Sequence, residues 1–394
     1  MQTYDWIVIG NGIAGAALSY ELAKQGCSVL VLTQAVTPAQ ATRYSYGGIA
    51  FWAGTTDSMR QLSIDGYKRH QVLSDELGMD TQLRELDLVM PIPYGLDPEA
   101  ITATYATCAI PPRLITVNEA CELEPLLNPS SLEAALTVRH GHILPEVAVK
   151  AYNQAFTRLG GIIQLEAVQT LWIENDRILG VKTVTSKIAS SNVAICAGGL
   201  SRQLGYQAGV QIPHYFTHAE VLETIPVELK LRSLIMPANL QRFAMEAEAS
   251  RADLDPLWDE PGHEPAPAIL DVGACQFLDG RIRIGQVSRV ATNPTLVSDP
   301  QASEAVLRRG IGSILPALAA LPATWHHCLV AFCRDRLPLV GALSSITGLH
   351  VFVGFSNPMV IVPILAERLA RQVTGQPDPE LQQFSPDRFR EPSR

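Results

Sequence analysis

"IVIGNGIAGAALSYELAKQGCSVLVLTQ", residues 7–34, decides how this chain is read. Residues 4–9 (YDWIVI) predict a short buried strand, and Gly10, Gly12 and Gly15 follow it as G-x-G-x-x-G. Residues 13–25 predict a helix whose Ala14, Ala16 and Ala17 allow close packing on a sheet, and residues 28–32 (SVLVL) predict a second buried strand. The three glycines have separate tasks: Gly10 makes the tight turn, Gly12 lets the backbone approach a pyrophosphate, and Gly15 lets the helix lie close. The helix N-terminus then meets the negative charge, so the unit asks for a dinucleotide. Such sites usually place a carboxylate after the second strand to accept bonds from ribose hydroxyls. Thr33 and Gln34 stand there instead, and neutral acceptors make weaker bonds than a charged one.

The chain has 394 residues, 47% of them hydrophobic and 18% charged, enough for a large core and two domains. A formal net charge of −9 and the lack of a basic cluster argue against a nucleic-acid partner. The seven cysteines are scattered, odd in number and without a C-x-x-C pair, as expected of reduced thiols in the cytoplasm. The opening MQTYDWIVIGNG lacks a charged leader region and reads as a strand, and no apolar run has transmembrane length. No metal site is expected: His326 and His327 are adjacent, which hinders sharing one ion, and no cysteine or carboxylate spacing supports them.

Further along, residues 58–78 predict an amphipathic helix, and prolines 91, 93, 98, 111 and 112 are expected to break up residues 80–140. A helix is predicted from Pro145 to Gly160 and Gly161, and a hairpin about residues 174–177. Residues 192–199 (NVAICAGG) predict a buried strand ending in glycines. Residues 206–290 read as strand pieces and loops, including a hairpin about Asp279-Gly280. A helix over 302–320, a late strand in GLHVFVGF and a closing helix from Pro358 complete the reading.

At this point the chain resembles the D-amino-acid oxidase family of FAD-dependent oxidoreductases, which includes glycine and sarcosine oxidases. The resemblance rests on five motifs in order: GNGIAGAALSYEL, ATRYSYGGI (41–49), GHILPEVAVKAY, VAICAGGLSRQL, and DRLPLVG (335–341) followed by GLHVFVGFSNPMVIVPILAERLA. It implies an α/β fold, α+β overall, with a Rossmann-like FAD-binding domain and an inserted antiparallel-sheet substrate domain. The implied division gives 1–80, 141–205 and 326–394 to the flavin domain and 81–140 and 206–325 to the substrate domain. FAD contacts are implied at Gly10, Gly12, Gly15, Thr33 and Gln34, and in the loop at Arg43, Ser45, Gly47 and Gly48. Val168, Ala197, Gly198 and Gly341 extend the set, and Gly354, Phe355, Ser356, Asn357, Met359 and Val360 close it. Pro358 removes one N–H from that last turn, leaving Met359 and Val360 as helix N-terminal donors.

The implied reaction is oxidation of an amine or amino acid: hydride passes from the carbon bearing nitrogen to the flavin, and the imine hydrolyses. Oxygen or a quinone would accept the electrons, and a homo-oligomer is possible. An oxidase domain related to tRNA wobble-uridine modification enzymes is the alternative, against which the acidic charge counts; a third is a flavin-binding protein without turnover. Glycine oxidases carry a carboxylate-pairing arginine where this chain has Val330, so Arg334, Arg336 and Arg283 are the expected replacements. Cys328 occupies the position at which sarcosine oxidases link covalently to flavin; spacing alone supports that, and a buried free thiol is expected. His214 and His218 are read as acid/base or pocket-lining groups, or as packed side chains.

Overall fold

The structure is a computed structural model that describes residues 3–35, 37–296 and 298–389. Residues 1–2 and 390–394, the outer ends of the expected flavin division, lie outside the described residues. The opening strand–turn–helix–strand forms as Thr3–Ile9, Ile13–Lys24 and Val29–Thr33. Its strands sit centrally in an eight-stranded sheet whose main path runs Leu339–Ala342, Leu349–Val353, Lys187–Ile195, Thr3–Ile9, Val29–Thr33, Ile162–Leu165. Parallel pairing aligns Ile7 with Leu30 on one side and with Val193 on the other. Both faces of this sheet are covered, which is why its strands are continuously apolar. Trp6 and Val8 join the helices Ile13–Lys24, Pro145–Arg158 and Pro358–Val373 in one core, while Ile7 and Ile9 join a second core on the opposite face.

The helix Asp57–Leu77 starts under a Thr56 cap and stops at Gly78, whose φ is +66°. Buried Arg69 on this helix pairs with Glu21 at 2.7 Å, Glu76 at 2.6 Å and Glu367 at 3.0 Å, so one guanidinium ties three helices together. A turn away, Gly66 abuts the Val360 carbonyl and His70 Nε2 meets the Met359 carbonyl oxygen. These contacts fix the start of Pro358–Val373 against the long helix.

The second sheet has nine strands, with main path Ala323–Phe332, Tyr215–Thr224, Ile282–Val290, Ala266–Gln276, Leu234–Ile235, Arg84–Pro93, Leu132–His142, Gly48–Ile49. Most pairs are antiparallel; Leu234–Ile235 runs parallel to Arg84–Pro93. Strand Ala323–Phe332 straddles the expected boundary at 326 yet pairs with Tyr215–Thr224 over its whole length. Pro91 and Pro93 do not break their segment: both sit in Arg84–Pro93. Leu234–Ile235 pairs that strand only at Leu88 and Val89, so beyond them one edge is free and a missing N–H costs nothing. A helix absent from the sequence reading, Gln241–Ala249, lies within 206–290 and packs on Ala266–Gln276. It is short, uncapped by any side chain and carries Glu246 on its buried face, which spoils its apolar period.

Candidate cofactor and substrate site

A cavity of about 1850 Å³ runs from the Gly10–Gly12 turn to the second sheet. At its first end Gly10 adopts φ +103°, and a Cβ on Gly15 would lie 1.9 Å from the Gly10 carbonyl oxygen. Gly15 therefore does what its spacing predicted, close packing, and does not line the cavity; Gly10 and Gly12 do. The N-cap Gly12 has no side chain, Thr42 Oγ1 accepts from the Ile13 N–H at 3.1 Å, and the buried Asn11 Oδ1 has no partner among the described residues. A helix N-terminus at a glycine turn facing a deep cavity suits a pyrophosphate, so the residues present fit FAD at this end.

Thr33 and Gln34 line the cavity as expected, but Thr33 Oγ1 is already engaged, donating to the Ala35 carbonyl at 3.0 Å. A carboxylate missed in the sequence lies beside them. Glu166 follows the strand Ile162–Leu165, whose Leu165 pairs with Thr33, and it too lines the cavity. Hydroxyl donors on Thr183 and Thr185 hold its carboxyl below the usual range, so it is charged. Only the pairing of two strands more than a hundred residues apart puts this acid next to Thr33.

Ser45, Gly48, Val168, Ala197 and Gly198 line the middle of the cavity. His214, expected near the substrate, instead bonds the Gly198 carbonyl through Nε2 at 2.9 Å, and burial lowers its pKa to about 4. Gly354, Phe355, Ser356, Asn357 and Met359 line the cavity at the start of Pro358–Val373. Val360 and Gly341 do not: Val360 is fully buried against Gly66. Gly47 is likewise a backbone position, with φ +73° against the Ile143 carbonyl.

Two expected arginines are committed elsewhere. Arg43 pairs with Glu223 at 2.6 Å and Glu146 at 3.0 Å instead of reaching the cavity. Arg283 is wholly buried, salt-bridged to Glu223 and bonded to the Ser45 carbonyl, so its charge is already met. Arg281 joins the same Glu223 at 3.1 Å. Against the cost of burial, the Arg43 and Arg283 guanidinium groups hold the Glu223 carboxyl well below the usual carboxylate range. This cluster fastens the short helix Ala41–Tyr44 and the following Ser45 to the second sheet. Arg334 also faces away: it donates to the Ser250 carbonyl at 2.6 Å and Tyr215 Oη at 3.0 Å, beside a separate pocket of about 210 Å³.

Arg336 does reach the cavity, at its exposed rim, from a turn in which its own φ is +62°. It forms no ion pair among the described residues, and its guanidinium lies 4.8 Å from the Phe243 ring. Arg242, on the helix absent from the sequence reading, lies 4.9 Å from the same ring and also lines the cavity. Its Nη1 pairs at 3.4 Å with buried Glu246, whose carboxyl burial raises above the usual range, so this pairing is weaker than those at Glu223. Val330 lines the wall as an apolar residue. Cys328 does too, but burial pushes its thiol up to about 12, so it stays protonated. His218 Nδ1 meets His327 Nε2 at 2.7 Å, and of the two only His327 touches the cavity.

A profile of the family described as "FAD dependent oxidoreductase" (DAO) matches residues 5–372. The 4-methylaminobutanoate oxidase (formaldehyde-forming) of Paenarthrobacter nicotinovorans is 24% identical over 378 residues, covering 93% of this chain and 43% of that protein. The monomeric sarcosine oxidase of Streptomyces avermitilis is 26% identical over 212 residues, covering 53% of this chain and 55% of the relative. The chain thus spans about half the length of these two relatives, or less. The crystal structure of glycine oxidase from Geobacillus kaustophilus superposes with a TM-score of 0.81 at 19% identity, covering 99% of this chain and all of that one. Among the described residues no helix is long and apolar enough to cross a membrane.

Proposed function

The chain belongs to the family of FAD-dependent oxidoreductases, and we propose on that premise that it oxidises an amino acid or related amine to an imine, which water then hydrolyses. Bound FAD supplies the hydride acceptor. The protein's part is to hold, orient and shield. Gly10, Asn11 and Gly12 receive the pyrophosphate on the helix N-terminus, and Glu166 with Gln34 takes the ribose that a carboxylate at position 33 would otherwise bind. Ser45, Gly48, Ala197, Gly198 and the Gly354–Asn357 turn bed the ring system, with Met359 N–H at a helix start where developing negative charge is stabilised. Oxygen or a quinone takes the electrons onward, and the cytoplasm is the compartment this reading implies.

The observation that carries the amino-acid reading is the pair of guanidinium groups, Arg242 and Arg336, sharing the Phe243 ring on the cavity wall. Arginine forks bind carboxylates bidentately, and a carboxylate buried without a cation is strongly disfavoured. Arg242, part-buried with a side-chain exposure of 23%, leads; Arg336 at the rim assists. Arg242→Ala should raise the KM of an amino-acid substrate on the order of 10²-fold, the loss of a few kcal/mol of charge-assisted binding. Arg336→Ala should cost nearer tenfold because water screens an exposed charge. A neutral amine of similar size should be little affected by either. Equal treatment of both substrates by both variants would remove the amino-acid reading and favour an uncharged amine.

A further inference from the structure

Strand Ala266–Gln276 carries a register irregularity opposite Ile282–Val290: Leu270 pairs with Val287, and the next aligned pair is Gly273 with Gly285. Two residues, Asp271 and Val272, thus face the single Gln286. The alternation of side chains continues through this irregularity. Leu270 and Val272 point to one side, where both would touch a Cβ placed on Gly310 of the helix Pro300–Ile314. Asp271, between them, points to the other side and lines the cavity, as do Gln286 and Gly273. It is 9% exposed, and its Oδ1 has no hydrogen-bond partner among the described residues. Asn239, which lines the same cavity, has a second buried acceptor, Oδ1, without a partner among the described residues. A carboxylate left unpaired in a buried place is costly unless something binds there.

We propose that Asp271 is the counter-charge for the substrate's amino group, so that the cavity selects a zwitterion, with its ammonium at Asp271 and its carboxylate at Arg242 and Arg336. The assignment rests on the amino-acid reading above. It assigns a residue of the second sheet that no sequence motif marks. The charged and titratable groups facing Asp271 are Arg242, which favours its ionised form, Glu246, which opposes it, and the buried Tyr46; the first two lie on the helix packed over the strand. Burial dominates over both and raises the Asp271 carboxyl to about 6. A bound ammonium restores the ionised form, which makes this acid a discriminating acceptor and not a structural ion-pair member.

The test titrates the holoenzyme by visible difference spectroscopy with paired ligands: glycine and glycolate, sarcosine and methoxyacetate, proline of either hand and tetrahydrofuran-2-carboxylate. Each pair shares a carboxylate, and only one member carries an ammonium. Asp271→Asn should weaken the zwitterion by on the order of tenfold or more while leaving the oxygen analogue unchanged or tighter. Wild-type affinity for the zwitterion should fall as pH drops through about 6, and the Asn variant should lose that dependence. Asp271→Ser serves if the Asn variant does not fold. Equal weakening of both members, or of neither, overturns the Asp271 assignment alone. So does a wild type that binds the oxygen analogues and not the zwitterions. A wild type that binds no member of the panel overturns the amino-acid reading and this assignment with it.

Discussion

Gly66→Ala puts the helix-on-helix contact under the cofactor site to a quantitative test. A Cβ built at position 66 lies 2.0 Å from the Val360 carbonyl oxygen and 2.9 Å from its carbon. An ordinary carbon–oxygen contact needs roughly 3.4 Å, so either the helices Asp57–Leu77 and Pro358–Val373 separate by on the order of 1 Å or the carbonyl tilts out of its helix. Overpacking of this kind costs about 1–3 kcal/mol. Alanine also gains about 0.5–1 kcal/mol over glycine in a helix interior. Because the clash is with backbone, which cannot rotate away, the penalty should win, giving a net loss of about 1–2 kcal/mol. The displacement falls on Met359 and Asn357, which line the cavity, so flavin affinity should fall together with stability. Thermal melting and a flavin dissociation titration measure the two, with Gln61→Ala on the exposed face of the same helix as control. A Gly66→Ala protein as stable as wild type, with unchanged flavin affinity, would refute the claim that this contact sets the helix start.

Gly12→Val should purify without the yellow colour, because a branched side chain would fill the pyrophosphate's place beside Thr42 Oγ1, itself 3.0 Å from an added Cβ; a variant that keeps absorbance near 450 nm refutes this. Acid precipitation should release flavin into the supernatant, since the Cys328 thiol stays protonated; colour in the pellet that disappears in Cys328→Ser would show a covalent bond. Burial lowers His70, His214 and His350 from 6.5 to about 4, so the unfolded chain takes their protons first as pH falls, and stability is lost between pH 6.5 and 4. One such group removes on the order of 3 kcal/mol by pH 4, and three rival the stability of an ordinary domain. His350→Gln should therefore move the acid unfolding midpoint, followed by tryptophan fluorescence, to lower pH; an unmoved midpoint counts against the argument.

The cofactor end of the site was legible in the sequence because its determinants are local. Gly10, Gly12 and Gly15 act within one turn and its flanking strand and helix, and periodicity places all three. The Gly354–Asn357 turn follows the same rule. The substrate end was legible only in outline. Arg283 and Arg43 are conspicuous charges, yet both are spent on Glu223 across 60 and 180 residues of chain, a partnership that spacing does not reveal. Arg242 was hidden because its helix is nine residues long and its buried face carries a glutamate.

Residue types and their spacing by themselves determined the dinucleotide turn, the covered parallel sheet and the lack of an arginine at Val330. Tertiary structure alone decided which charges face the cavity. Glu166 reaches Thr33 through a strand pairing, Arg242 and Arg336 meet on Phe243 from distant segments, and Asp271 faces the cavity because the helix Pro300–Ile314 covers the opposite side of its strand. Side-chain direction in a strand has a period of two, but which of its two faces meets a cavity is set by the elements packed on the other, and no composition or motif records that. Whether a charge is available to a ligand depends on what else lies within a few ångströms, and in this protein those neighbours come from distant parts of the chain.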